Sequence, residues 1–493
     1  MPIEHAVPAF AIIGAVNHGK SSILSTLMED DAVAVSSMPG VTVHAKRFAL
    51  RDLVVFHDTP GFQNARKALA EINRAPADAN DPLAKFRVFV EQHQTDPQFE
   101  AECRLLKPVL AGAGIIYVVD GSLAPTPLNE CEMELARLTG VTRLAIVNRT
   151  GEQDYIGQWR AALNRSFNAV REFNAHSASF EDRKDLLETL ANINRDWKPY
   201  LLKAVTALQE DRSARIDDAA ALAVSLVCDC LTFSARLSLK IDSAEARTAA
   251  DLALQERFKT QLAKIESSAH NKMIALFAHH LVQSSSESAS LFKDGLFSVE
   301  TWRLMGLNAK QLTMTGAAIG AVAGAGTDAL TLGHTLLLGT AVGAAIGGTT
   351  AYLVGKKQPS VSVKTPRFSK AMQLLMPEKL QLSAQEMVVG PMQANNFPWI
   401  LLDRALCSLN YVAGRAHGRR DETAIQMDQL LPSLQQKKLS VEYWSDEDRK
   451  RCEKLFAKLR LSKTLVGNES QELKDIIARH FGEVVASADR ATH

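Results

Sequence analysis

The sequence lacks any excess of charge of one sign: its 493 residues carry 56 Lys plus Arg against 55 Asp plus Glu. That balance removes any bulk electrostatic argument for a nucleic-acid binder, so partners have to be read from local patches. Cysteine is scarce and scattered. The six cysteines, Cys103, Cys131, Cys228, Cys230, Cys407 and Cys452, occur in a chain with no secretory leader at Met1–Phe10. The expectation is a reducing, cytosolic setting with buried free thiols. Cys228 and Cys230 stand two apart in VSLVCDCLTF, and on a helix that spacing sends them to different faces, which argues against a metal pair. A KH-type GXXG platform and a ribbon of interleaved aromatic and basic residues are also missing, so RNA recognition has no local support.

What is present begins with length, enough for roughly three domains at about 150 residues each. The first informative stretch is GAVNHGKSS, Gly14–Ser22, behind the apolar run Ala9–Ile13. Gly14, Gly19, Lys20 and Ser21 fit G-x-x-x-x-G-K-[ST], between a predicted strand at Phe10–Ile13 and a predicted helix at Ser21–Met28. Glycines let backbone N–H groups approach phosphates, the Lys20 ammonium neutralises β- and γ-oxygens, and the Ser21 hydroxyl ligates Mg²⁺. The flanking Asn17, His18 and Ser22 belong to the same cradle.

A second motif follows in VVFHDTPG. The apolar strand Leu53–Phe56 leads into Asp58-Thr59-Pro60-Gly61, where Asp58 can hold Mg²⁺ through water and the Gly61 N–H can sense a γ-phosphate. Between the two motifs lies SSMPGVT, which puts Thr42 roughly one switch-loop length after Lys20. Thr42 is the expected second hydroxyl ligand for Mg²⁺. Lys20, Thr42 and Gly61 form the expected catalytic set, and Ser21, Thr42 and Asp58 the metal set.

Together these motifs resemble the Era/TrmE branch of translation-factor-type GTPases: G-x-x-N-x-G-K-S at Gly14–Ser21, P-G-x-T at Pro39–Thr42 and D-T-P-G at Asp58–Gly61. The resemblance covers about the first 180 residues. It implies an α/β P-loop GTPase domain with a mostly parallel sheet and flanking helices, binding GTP or GDP with Mg²⁺. Asn17 matches the asparagine that in TrmE-like members helps hold K⁺, which implies potassium activation; alternatively Asn17 stabilises the loop's own turn. Phe62 stands where many GTPases place a water-orienting glutamine. The resemblance therefore implies slow basal hydrolysis and a nucleotide-dependent homodimer, with Gln63 as a displaced water-positioning candidate.

The base-reading motif is incomplete. Asn148-Arg149-Thr150-Gly151 occupies the place of N-K-x-D. Asn148 still supports the loop and contacts the base, and the Arg149 stem covers a purine face. Gly151 removes the carboxylate that accepts two hydrogen bonds from guanine, a loss of a few kcal/mol of guanine preference, on the order of one unpaired polar edge. The adjacent Glu152 substitutes only if the loop geometry changes. Ser177-Ala178, in FNAHSASFEDRKDLLETL, resembles the last family motif, although Ser177 suits a helix N-cap equally well. Asp120, ending the strand GIIYVVD, reads as structural.

Beyond the first domain the chain reads as an all-α C-terminal half. The expected organisation is 1–180 for the GTPase domain, with a polar helical insertion at about 63–110; 181–300 for a helical domain; 301–360 for a glycine-rich apolar hairpin; and 361–493 for a C-terminal helical region. The insertion is either coupled to the switch or a surface decoration. A polar break at Ser284–Ser290 suits a hinge. Gly316, Gly320 and Gly324, then Gly339, Gly343 and Gly347, repeat every fourth residue, giving two helices with bare stripes that pack closely. Such a hairpin contacts membrane lipid or a membrane protein, with Lys356 and Lys357 at the headgroups, or packs inside the protein. Localisation follows: cytoplasmic, peripheral to or inserted in the bacterial inner membrane. The segment NNFPWILLDRALCSLNYVAGRAHGRRDE suits a buried helix with a basic end at Arg415, His417, Arg419 and Arg420. With the Era-like front and the hairpin, it resembles a bacterial GTPase family whose C-terminal half is a domain of unknown function. The competing readings are an Era-like RNA or ribosome-assembly factor and a nucleotide-gated scaffold with little hydrolysis.

Overall fold

The computed structural model describes residues 7–15, 17–28, 46–50, 52–76, 78, 80–149, 151–239, 244–277, 296, 361–364, 385–392, 395–413, 441 and 444–491. Thr42 with the P-G-x-T motif, the Ser284–Ser290 break, the glycine-striped hairpin and the basic end at Arg415–Arg420 lie outside the described residues.

The first domain is built on strands β1 (Ala9–Ile13), β2 (Lys46–Leu50), β3 (Val54–Asp58), β4 (Gly114–Asp120), β5 (Arg143–Asn148) and β6 (Ala169–Glu172), in the order β2-β3-β1-β4-β5-β6. Only β2 runs antiparallel, against β3. Helices cover both faces, so the central strands are apolar on both sides: all seven residues of β4 are buried. Side chains alternate between two cores. Phe10, Ile12, Ile116 and Val118 face one core, shared with α1 (Lys20–Met28), α7 (Phe180–Ile193) and the start of α8 (Lys198–Thr232). Ala11, Ile13, Ile115, Tyr117 and Val119 face the other, shared with α2 (Ala65–Arg74), α3 (Ala84–His93), α4 (Glu100–Leu110), α5 (Pro127–Leu138) and α6 (Ile156–Leu163).

The polar insertion is no surface decoration. Phe86, Phe89, Phe99, Cys103, Leu105, Leu106 and Val109 are buried in the second core, so α3 and α4 are integral to the domain. Helix starts follow local chemistry. Thr126 and Asn129 form a capping box at α5 with Pro127 just inside, and Ser179 with Asp182 forms another at α7.

The remainder is helical, as the periodicity implies. The second half of α8 packs with α9 (Ala244–Leu276), α10 (Phe397–Ala413), α11 (Asp446–Ser462) and α12 (Glu469–Ala491) around one further core. One element goes beyond that expectation: an antiparallel sheet ordered β7-β9-β8, from β7 (Ala235–Leu239), β8 (Val361–Lys364) and β9 (Gln385–Val389). The FPWILLDRAL helix is the centre of this core, and its Arg404 forms a fully buried ion pair with Glu266 of α9. Breaking one partner of such a pair strands a charge in apolar surroundings, at a cost of about 3–5 kcal/mol. Helix α8 belongs to both cores. Leu201, Ala204, Val205 and Leu208 pack in the first domain, and Ala219 to Leu231 pack in the helical half.

Candidate functional site

The site sits at the carboxyl ends of the parallel strands, where open α/β sheets bind ligands. The register aligns Ile12 with Asp58, and Asp120 with Asn148. This brings the phosphate loop, the Asp58–Gly61 segment and the Asn148 loop to one edge.

The loop conformation explains its sequence. Gly14 has φ 141° and Gly19 has φ 87°, and a Cβ on either would lie 2.2 Å from the Val118 carbonyl oxygen or the Asn148 amide nitrogen, respectively. Both positions require glycine. Asn17 has φ 67°, a left-handed conformation that asparagine tolerates better than other side chains. Its side chain is exposed.

Lys20 opens α1 and is buried; its Nζ donates to the Gly14 carbonyl at 3.0 Å and the Ala15 carbonyl at 2.8 Å. Burial lowers its pKa to about 8, with Asp58 and Glu132 pulling the other way. Two neutral carbonyls do not compensate for lost hydration, so the ammonium is a cation in want of an anion. His18 is held below its ordinary pKa, first by burial and then by the Lys20 charge, so the loop carries one positive charge rather than two.

Ser21 Oγ donates to Asp58 Oδ2 at 3.1 Å. The bond sets the hydroxyl, a candidate Mg²⁺ ligand, beside the carboxylate that would hold the ion through water. Thr59 Oγ1 donates to the Ile12 carbonyl at 2.7 Å and pins the next segment to β1. Gly61 is buried, Phe62 is packed in the second core, and the Gln63 side chain is exposed.

Asn148 is fully buried and bridges two loops. Its Nδ2 donates to the His18 carbonyl at 3.3 Å, and its Oδ1 accepts from the Ala175 N–H at 3.2 Å. The last motif therefore meets Asn148 at Ala175. Thr26 Oγ1 also holds the Ala175 carbonyl, at 3.0 Å. Ser177 is exposed, Ala178 is buried, and the α7 N-cap is Ser179 rather than Ser177. Arg149 is exposed, with its guanidinium 3.4 Å from the Glu152 carbonyl. The Gly151 N–H donates to Ser122 Oγ at 2.9 Å, and Ser122 is in turn bound to the Asp120 carboxylate. Asp120 is structural in this sense: it ties the β4 loop to the base-reading loop. No sequence pattern announced that chain of contacts, because its members come from separate loops.

Residues 160–479 match the family model described as Domain of unknown function (DUF3482). The chain belongs to this family. Residues 9–146 match the model described as 50S ribosome-binding GTPase, and the N-terminal domain is a P-loop GTPase domain. No curated protein matches. Among solved structures, a crystal structure of Aquifex aeolicus Era with a tyrosine-to-alanine substitution, bound to GDP and AlF4−, is similar at 15% identity with a TM-score of 0.24. The match covers 38% of this chain and 57% of that one, so the chain spans little over half the length of that protein. The DUF3482 match contains β6, α7 and the first half of α8, which complete the sheet and core of the GTPase fold.

All six cysteines are free, and among the described residues no group of three or more His, Cys, Asp or Glu is arranged for a metal. Among the described residues no helix is long and apolar enough to cross a membrane.

Proposed function

We propose that this chain binds GTP and GDP with Mg²⁺, hydrolyses GTP slowly, and uses the nucleotide state to move its helical half. The observation that carries this reading is the Lys20–Ser21–Asp58 cluster. A buried ammonium lies against the phosphate loop, with the hydrogen-bonded Ser21 hydroxyl and Asp58 carboxylate beside it. Backbone groups of Gly14 and Asn17–Ser22 cradle the phosphates, and Lys20 neutralises the β- and γ-oxygens. Ser21 and Asp58, joined by Thr42, hold Mg²⁺, which neutralises developing phosphate charge. The Gly61 N–H senses the γ-phosphate. Asn148, Arg149 and the loop carrying Ser177 and Ala178 frame the base. The buried Phe62 supports slow turnover, since no side chain at that position can orient water. Asn17 gives the site its potassium dependence. Helix α8 supports the coupling because one continuous helix contributes to both cores. The fourth-residue glycine repeat in the sequence of 314–357 supports contact with membrane lipid or a membrane protein at the bacterial inner membrane, and a nucleotide-dependent homodimer supplies the missing water-positioning group.

Titration of labelled GTP, GDP and ATP analogues tests this. Binding is expected to prefer guanine, less strictly than with an intact N-K-x-D, and Lys20→Ala is expected to abolish it. Equal ATP binding overturns the guanine assignment, and unchanged affinity in Lys20→Ala overturns the site. Turnover is expected to rise when K⁺ replaces Na⁺. The match to a 50S ribosome-binding GTPase model favours a second reading, an RNA or ribosome-assembly factor; co-sedimentation with ribosomal particles separates the two.

A further inference from the structure

We infer that Glu102, in the first turn of α4, is a positioning residue of the nucleotide site, fixing the backbone directly after Gly61 and so making the α3–α4 insertion part of the switch. The inference rests on the GTPase reading above. Glu102 is fully buried in a helix whose neighbouring inward positions, Cys103, Leu105 and Leu106, are apolar. Its Oε1 accepts two backbone hydrogen bonds, from Gln63 N–H at 2.8 Å and Asn64 N–H at 2.5 Å. These residues lie two and three positions beyond Gly61, and Asn64 is the N-cap of α2. The Asn64 side chain gives α2 no cap bond and instead donates to the Gln98 carbonyl, at 2.8 Å, in the turn before α4. The start of α2, which has no side-chain cap of its own, is therefore held by both Glu102 and Gln98.

A buried carboxylate is a costly way to join two helices when an apolar contact serves. Its other oxygen, Oε2, makes no hydrogen bond among the described residues. A second buried acid, Glu132 of α5, lies close enough for the two charges to repel, and Glu132 in turn interacts with the Lys20 charge. Glu132 receives hydrogen bonds from Tyr117 Oη at 2.7 Å and Asn129 Nδ2 at 3.3 Å. Burial under this repulsion makes sense if Glu102 has a precise object, and its object is the pair of peptide N–H groups that follow the γ-phosphate sensor. The positive end of α2 favours an anion there.

The test uses the full chain as wild type, Glu102→Ala, Glu102→Asp and Glu102→Gln. Aspartate keeps the charge but is one methylene too short; glutamine keeps the length and an acceptor oxygen. Three quantities are read: single-turnover GTP hydrolysis, the ratio of GTP-analogue to GDP affinity, and hydrogen exchange at the Gln63 and Asn64 amides. In Ala and Asp the rate is expected to fall about tenfold, the scale of one lost charge-assisted hydrogen bond. The affinity ratio moves toward one, GDP affinity stays within about twofold, and the two amides exchange faster. Gln recovers most of each. Rates equal to wild type, or GDP affinity and melting temperature falling in step with the rate, overturn the inference. If the wild type hydrolyses no GTP, the enzymatic reading fails; the affinity ratio and amide exchange then still decide for or against Glu102.

Discussion

Lys20 makes nucleotide affinity depend on pH in a window where few other groups titrate. Its pKa in the folded protein is about 8 against an ordinary 10.5. A phosphate ester has already lost its last proton near pH 6, so above pH 8 the ligand's phosphates keep a constant charge; the guanine N1–H ionises in the same alkaline range, and a variant without a titrating lysine isolates that contribution. If binding requires the ammonium, the apparent Kd rises by the factor 1 + 10^(pH − pKa), about tenfold at pH 9 and about a hundredfold at pH 10. Stability moves the opposite way. The folded pKa lies below the unfolded one, so the charged form is penalised on folding by about 3 kcal/mol. That penalty is full below pH 8 and is relieved as pH rises from about 8 toward 10.5. The assay is GDP titration between pH 7 and pH 10 at fixed ionic strength, with urea unfolding of the free protein alongside. Lys20→Arg is the control, because a guanidinium stays charged throughout: any pH dependence of its Kd belongs to the guanine base. A wild-type Kd that changes with pH no more than that of Lys20→Arg refutes the assignment of Lys20 as the phosphate-facing cation.

Gly14→Ala is expected to cost about 2–4 kcal/mol in chemical denaturation, because the new methyl meets the Val118 carbonyl oxygen at 2.2 Å and that backbone is fixed in the central sheet. Glu266→Ala is expected to destabilise the helical half by about 3–5 kcal/mol in urea unfolding by stranding Arg404; unchanged stability refutes the buried ion pair as a support of that core. The protein is expected to float with liposomes and to resist a high-salt wash. Ile346→Lys, or deletion of the hairpin, is expected to abolish flotation while nucleotide still binds, since a lipid-facing lysine costs about 2.5–3.5 kcal/mol. Failure of the intact protein to float under any nucleotide removes the membrane reading.

Much of the site could be read along the chain because its parts are local. A phosphate loop is a strand, a glycine turn and a helix start in succession, and the residues that permit its dihedral angles, Gly14, Asn17 and Gly19, are visible as letters. The same holds for Asp58-Thr59-Pro60-Gly61 at a strand end and for the incomplete motif from Asn148 to Gly151. The fold class of the first domain came from the family resemblance that those motifs carry, and the helical nature of the second half from its periodicity.

What the sequence could not supply depends on which distant side chains meet. Asn148 joins His18 to Ala175 across 130 and 27 residues of sequence, and a weak S-A pattern drew attention to Ser177 instead of Ala175. The insertion looked polar because its exposed faces outnumber its inward ones, yet six of its apolar side chains from Phe86 to Leu106 complete a core. Glu102 drew no notice in the sequence, since nothing local tells a solvated carboxylate from one that holds Gln63 and Asn64 across 39 and 38 residues. Periodicity likewise could not show that α8 serves two cores, because a 3.6-residue repeat specifies a face but not its neighbour. Thus the sequence determined the chemistry of the phosphate loop through backbone rules acting over a few residues. Only the tertiary structure decided its supports, because burial and hydrogen bonding are properties of pairs that meet only when the chain is folded.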